Sequence, residues 1–176
     1  LVGSEMCIRD RTTVSIDCGQ FVNELKRGKV EGIKVNESDE PLENALFGLF
    51  RTDCTEFTES NAIMTAISDE KGYFEFGNIP YGEYVVREIK APTGYILSDE
   101  SYPVSISEDG EVIEITAENK PITVKISKRD IYGNELKGAK MQIIDSEGNI
   151  VDEWTSDGTD HIVTELPAGD YTLKEI

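Results

Sequence analysis

Charged and amide side chains recur in this sequence at positions where strand alternation calls for apolar ones. Ile122, Val124 and Ile126 alternate with Thr123, Lys125 and Ser127, the period of a strand with one buried face, and Lys128 continues the buried parity. Glu175 does the same after Tyr171 and Leu173, and Glu88 after Tyr84 and Val86. Asn119 follows Ile113, Ile115 and Ala117, leaving Glu114, Thr116 and Glu118 on the opposite face. Lys34 shares its parity with Val30 and Gly32, and Asn23 ends a strand-like segment at a place comparable to Asn119.

An amine and a carboxyl buried among apolar groups are each desolvated, which lowers the amine pKa and raises the carboxyl pKa by as much as about 3 to 5 units. A neutral lysine is a nucleophile, and a protonated glutamic acid beside an asparagine can polarise its carboxamide and relay protons. In contact, the amine can attack the asparagine side-chain carbonyl and expel ammonia, leaving an amide between two side chains. Fixed geometry supplies the effective concentration that a slow aminolysis needs. The alternative is plainer. Each of these residues sits at a strand end, where a charge can reach solvent or form a salt bridge.

The elements that carry these residues occur twice. KVNESDEPLENALFGLF from Lys34 matches KRDIYGNELKGAKMQII from Lys128, and GNIPYGEYVVREI from Gly77 matches TELPAGDYTLKEI from Thr164. The second offset is smaller, so the first copy carries extra residues, placed in the polar stretch 51–61 around Cys54. The inward lysine and the inward glutamate therefore each appear in both copies. Turn signals such as Glu70-Lys71-Gly72, Pro92-Thr93-Gly94 and Glu147-Gly148-Asn149 separate the short alternating runs. Such spacing predicts an all-β chain of sandwiches with roughly seven strands per unit. The expected organisation is a last strand of a preceding domain at 12–27, one complete domain at 28–120, and the N-terminal part of a second, truncated one at 121–176. The opening run LVGSEMCIRDR, residues 1–11, is similar to translated sequencing-adapter read-through and is set aside as non-native.

Composition narrows the function classes. A formal charge of -18, from 35 acidic and 17 basic residues, repels nucleic acid and anionic membrane surfaces. No run approaches the roughly 20 apolar residues that span a bilayer, so no membrane insertion is expected from this sequence. Cys7, Cys18 and Cys54 have no metal-ligand spacing and read as free thiols. His161 is the only histidine, no nucleophile motif or phosphate loop is present, and the acidic turns at 37–40 and 157–160 lack a calcium-loop pattern. No cofactor, no metal and no turnover enzyme are expected.

The same residues resemble a known family, the Cna B-type or SpaA-pilin-like domains of Gram-positive cell-surface proteins. The resemblance rests on Lys34 followed by PLENALFGLF, then GYFEFGNIPYGEYVVREIKAPTGY, then a closing strand ending in Asn119. The second copy, ITVKISKRDIYGNELKGAKMQIIDSEG with Trp154 and LPAGDYTLKE, is similar to the domain from which the split ligation module SpyCatcher derives. The resemblance implies tandem prealbumin-like, Ig-like β-sandwiches. It also implies a spontaneous isopeptide bond with Lys34 as amine, Glu88 as catalyst and Asn119 as acceptor. Lys128 and Glu175 match in the second copy without an acceptor, and Asn23 takes the acceptor's place for the preceding unit. Gly32 departs from the pattern, standing where a larger core residue is expected. The function expected is a structural stalk module of a cell-wall-anchored extracellular adhesin or pilus-like protein, with neighbouring domains as partners. The alternative is a sandwich that binds a host protein or carbohydrate, for which Tyr73, Tyr81 and Tyr95 could line a surface.

Overall fold

The computed structural model describes residues 25–176. Its first unit holds β1 (Arg27–Asn36), β2 (Leu46–Arg51), β3 (Met64–Ile67), β4 (Tyr73–Pro80), β5 (Gly82–Lys90), β6 (Ser101–Ile106) and β7 (Val112–Asn119). These form two sheets, ordered β4-β1-β7 and β3-β2-β5-β6. Alternation gives each sheet one apolar face. Val30, Phe74, Phe76, Ile79 and Ile115 from the first meet Phe47, Leu49, Val86, Val104 and Ile106 from the second in one buried core. The first and last strands lie side by side and parallel, in register from Lys29 with Val112 to Asn36 with Asn119. That pairing brings residues more than 80 positions apart in sequence onto one surface.

The second unit contains β8 (Thr123–Ile126), β9 (Lys137–Asp145), β10 (Ile150–Asp157), β11 (His161–Thr164) and β12 (Tyr171–Glu175). The pairings β8 with β11, and β9 with β10 and β12, repeat β1 with β4, and β2 with β3 and β5. The all-β reading and the internal repeat thus agree with the fold. Extra residues of the first copy form the connection between β2 and β3, with a short 3-10 helix at Glu59–Asn61. Phe57 from this connection packs edge-on against Phe50, and the Arg87 guanidinium lies over the Phe57 ring. Cys54 is a half-buried free thiol here. Arg27, expected to end the segment 12–27, instead opens β1. Residues 1–24, with Asn23, Cys7 and Cys18, lie outside the described residues.

Candidate functional site

Lys34 projects from β1 into the sandwich, flanked on its own sheet by β4 and β7. Gly72 in the turn before β4 fixes its backbone: the Lys34 amide donates to the Gly72 carbonyl at 2.7 Å, and the Leu42 amide donates to the Lys34 carbonyl at 2.9 Å. A Cβ on Gly72 would lie 2.2 Å from the Lys34 carbonyl oxygen, and its φ of +74° is in the left-handed region, so the close approach requires glycine. Lys34 pairs in register with Ala117, two residues before Asn119 on the same inward face of β7. Glu88 comes from β5 in the opposite sheet, beside Phe47.

The three side chains meet out of water. Lys34 is fully buried, with Asn119 1% and Glu88 4% exposed. The Lys34 Nζ donates to the Ala117 carbonyl at 3.1 Å and lies 4.0 Å from Glu88 Oε1. Asn119 Nδ2 donates to that same Oε1 at 2.9 Å, while the Ser98 backbone amide donates to Glu88 Oε2 at 2.9 Å. Asn119 Oδ1 is buried without a hydrogen-bond partner. Leaving a buried carbonyl unpaired costs about 1–3 kcal/mol.

Burial pushes the Lys34 amine down to about 8, against the opposing pull of Glu88 and, more weakly, of Glu118 and Glu100. At that value a substantial fraction of the amine is neutral near physiological pH. The site therefore joins a potential nucleophile, an amide carbonyl free of competing hydrogen bonds, and a carboxyl within reach of both nitrogens.

Gly32, which looked like a gap beside Lys34, is not one. A Cβ there would fall 2.1 Å from the Phe74 ring, and Phe74 stacks on Phe47 with centroids 3.9 Å apart and planes 11° from parallel. The missing side-chain volume is occupied by this aromatic pair, which joins the sheet of Lys34 to the sheet of Glu88, where Phe47 on β2 pairs with Glu88 on β5. Sequence reasoning missed the pair, and also the Ser98 amide. Gly72 was visible only as a turn signal.

The second copy differs. Lys128 and Glu175 do meet, at 2.8 Å, but as a partly exposed salt bridge with the two side chains 27% and 53% accessible. The strand-end alternative is what this pair adopts. Leu173 is half exposed where its counterpart Val86 is fully buried. The physical reason is coverage: among the described residues β8 pairs only with β11, and β12 only with β9, whereas β1 also has β7 and β5 also has β6. The tyrosines do not gather. Tyr73 bonds Glu31 and Glu75, Tyr81 lies exposed at the turn between β4 and β5, and Tyr95 bonds Glu165 in the second unit. No helix among the described residues is long and apolar enough to cross a membrane.

The comparisons with known proteins point one way. The trypsin-resistant surface T6 protein of Streptococcus pyogenes serotype M6 is 30% identical over 124 residues, which is 66% of this chain and 22% of that protein. The Bacillus anthracis TIE protein is 30% identical with a TM-score of 0.56, covering 86% of this chain and 29% of the other. The major pilin subunit of Bacillus cereus, 14% identical with a TM-score of 0.50 and coverage of 85% and 88%, shares the fold. The chain thus spans under a third of the length of the first two. The SpaA family model, described as a prealbumin-like fold domain, matches residues 28–121 and again 122–176. Two successive matches that together cover residues 28–176 establish that the chain belongs to the SpaA prealbumin-like domain family.

Proposed function

We propose that this chain is a stretch of an extracellular, cell-wall-anchored stalk in a Gram-positive adhesin or pilus-like protein, and that its first unit, at 28–120, crosslinks itself. The observation that carries the reading is the buried cluster in which Glu88 lies 4.0 Å from Lys34 on the first strand and 2.9 Å from Asn119 on the last. In the proposed step the neutral Lys34 Nζ attacks Cγ of Asn119. The Nζ–Cγ bond forms, the Cγ–Nδ2 bond breaks, and a proton from Nζ passes through Glu88 to Nδ2, which leaves as ammonia. Glu88 Oε1, 2.9 Å from Nδ2 and 4.0 Å from Nζ, ends in its starting protonation state, and because Lys34 and Asn119 are consumed the event happens once and is not turnover. The name of one relative describes a trypsin-resistant surface protein, and resistance to proteolysis is what a covalently closed sandwich would give this chain.

An amide from β1 to β7 would put a covalent bond where a stretched domain otherwise has only hydrogen bonds. By analogy with a disulfide closing a loop of similar length, it would add about 4–5 kcal/mol of stability. The mechanical role is checked by pulling the chain from its ends. Wild type should give no extension from the segment 34–119, and Lys34→Ala should release it. Release in the wild type as well would contradict the stalk role.

Lys128 and Glu175 supply the amine and carboxyl of a second centre, which a strand carrying Asn or Asp alongside β8 would complete. Asn23 of another chain is one candidate acceptor. SDS-resistant oligomers that vanish in Lys128→Ala are the expected result, and a clean monomer would end the idea.

A further inference from the structure

The two units are separated by only three residues, Lys120, Pro121 and Ile122, between β7 and β8. None of the three is left as free linker. The Lys120 carbonyl accepts from the Ile96 amide at 2.9 Å, Pro121 bridges to Tyr95, and the Ile122 amide donates to the Gly94 carbonyl at 2.8 Å. On its other side the Ile122 carbonyl accepts from the Glu165 amide of the second unit at 2.9 Å. The connection thus lies hydrogen-bonded between a loop of the first unit and a turn of the second.

That loop and turn also touch directly. The Tyr95 hydroxyl donates to Glu165 Oε1 at 2.8 Å. Gly94 has a φ of +86°, and a Cβ on it would lie 2.6 Å from the Glu165 carbonyl oxygen, so the backbones close to a distance that a side chain would forbid. Glu165 itself is a non-glycine residue at a φ of +59°, an uncommon state that persists where surroundings fix it. Its counterpart in the first unit, Asn78, has a φ of 56°, so the kinked turn is a repeated feature of the unit. Burial and the Glu165 carboxylate push the Tyr95 hydroxyl above its ordinary value.

We propose that the loop at 92–95 is a socket for the Glu165 turn of the following unit, and that it locks consecutive units into one rigid body instead of beads on a flexible tether. The partner recognised is the next unit of the same fold, through a carboxylate-bearing turn in the left-handed conformation. A stalk gains from this because extension then depends on stiff joints as well as stiff units. None of these contacts involves the Lys34, Glu88 or Asn119 side chains, so the socket stands or falls independently of the crosslink.

Residual dipolar couplings on the whole chain test it. Couplings from both wild-type units should fit a single alignment tensor. In Gly94→Ala, whose Cβ meets the Glu165 carbonyl, and in Tyr95→Phe, which loses one hydroxyl, each unit should require its own tensor while amide shifts away from the joint stay in place. A wild type that already needs two unequal tensors would overturn the proposal. So would retention of the single tensor in Tyr95→Phe, which decides the matter should Gly94→Ala disturb the first unit's own fold.

Discussion

In the proposed crosslink Lys34 supplies the amine, which must be neutral to attack, and burial lowers its pKa toward that state. The consequence for stability is measurable in Asn119→Ala, which cannot form the proposed bond. The folded amine titrates at about 8, against 10.5 as the ordinary value. Between those values the unfolded state binds more protons than the folded one, so stability should rise with pH across that window and be lost as pH falls through about 8. The full span is on the order of 3 kcal/mol. Denaturation at a series of pH values, compared with Lys34→Met in the same background, isolates the effect; parallel curves would contradict it. The inward parity of Lys34, Glu88 and Asn119 was legible in the sequence because alternation reports which face a residue takes. The unpaired Asn119 carbonyl was not, since it depends on how one amide is turned by a carboxylate from the opposite sheet.

At the scale of strands, the site depends on a size exchange between β1 and β4. Gly32 leaves room that the Phe74 ring fills, and Phe74 in turn stacks on Phe47 beside Glu88. Gly32→Ala should therefore destabilise the first unit by about 1–3 kcal/mol through overpacking. Phe74→Leu, which withdraws the ring, should recover part of that loss in the double variant. Chemical denaturation of the four proteins gives the coupling, and strictly additive losses would show that the two positions do not share one space. A sequence read one strand at a time cannot show such an exchange. It registered Gly32 as a missing core residue because the ring that replaces it lies 42 residues away. Alternation likewise placed Lys128 and Glu175 inward, but whether an inward face is covered depends on neighbouring strands, and here the pair stays partly exposed.

For the whole molecule, the repeat was the most legible feature, since matched offsets from Lys34 and Lys128 fixed the order of equivalent strands before any pairing was known. The joint between the units was not legible, because Tyr95 and Glu165 belong to different repeats and no periodicity relates them. In the proposed reading the first unit is a sandwich closed by its own covalent bond and mounted rigidly on the next. Intact mass spectrometry with peptide mapping detects that bond itself. Glu88→Gln keeps the shape of the side chain but removes its proton transfer, which should slow bond formation by about 10²–10⁴-fold. Wild type should weigh one ammonia less than its sequence and yield a peptide pair joining Lys34 to Asn119, with full mass restored in Lys34→Ala. A wild-type chain at its full sequence mass, with Lys34 and Asn119 on separate unmodified peptides, would contradict the account.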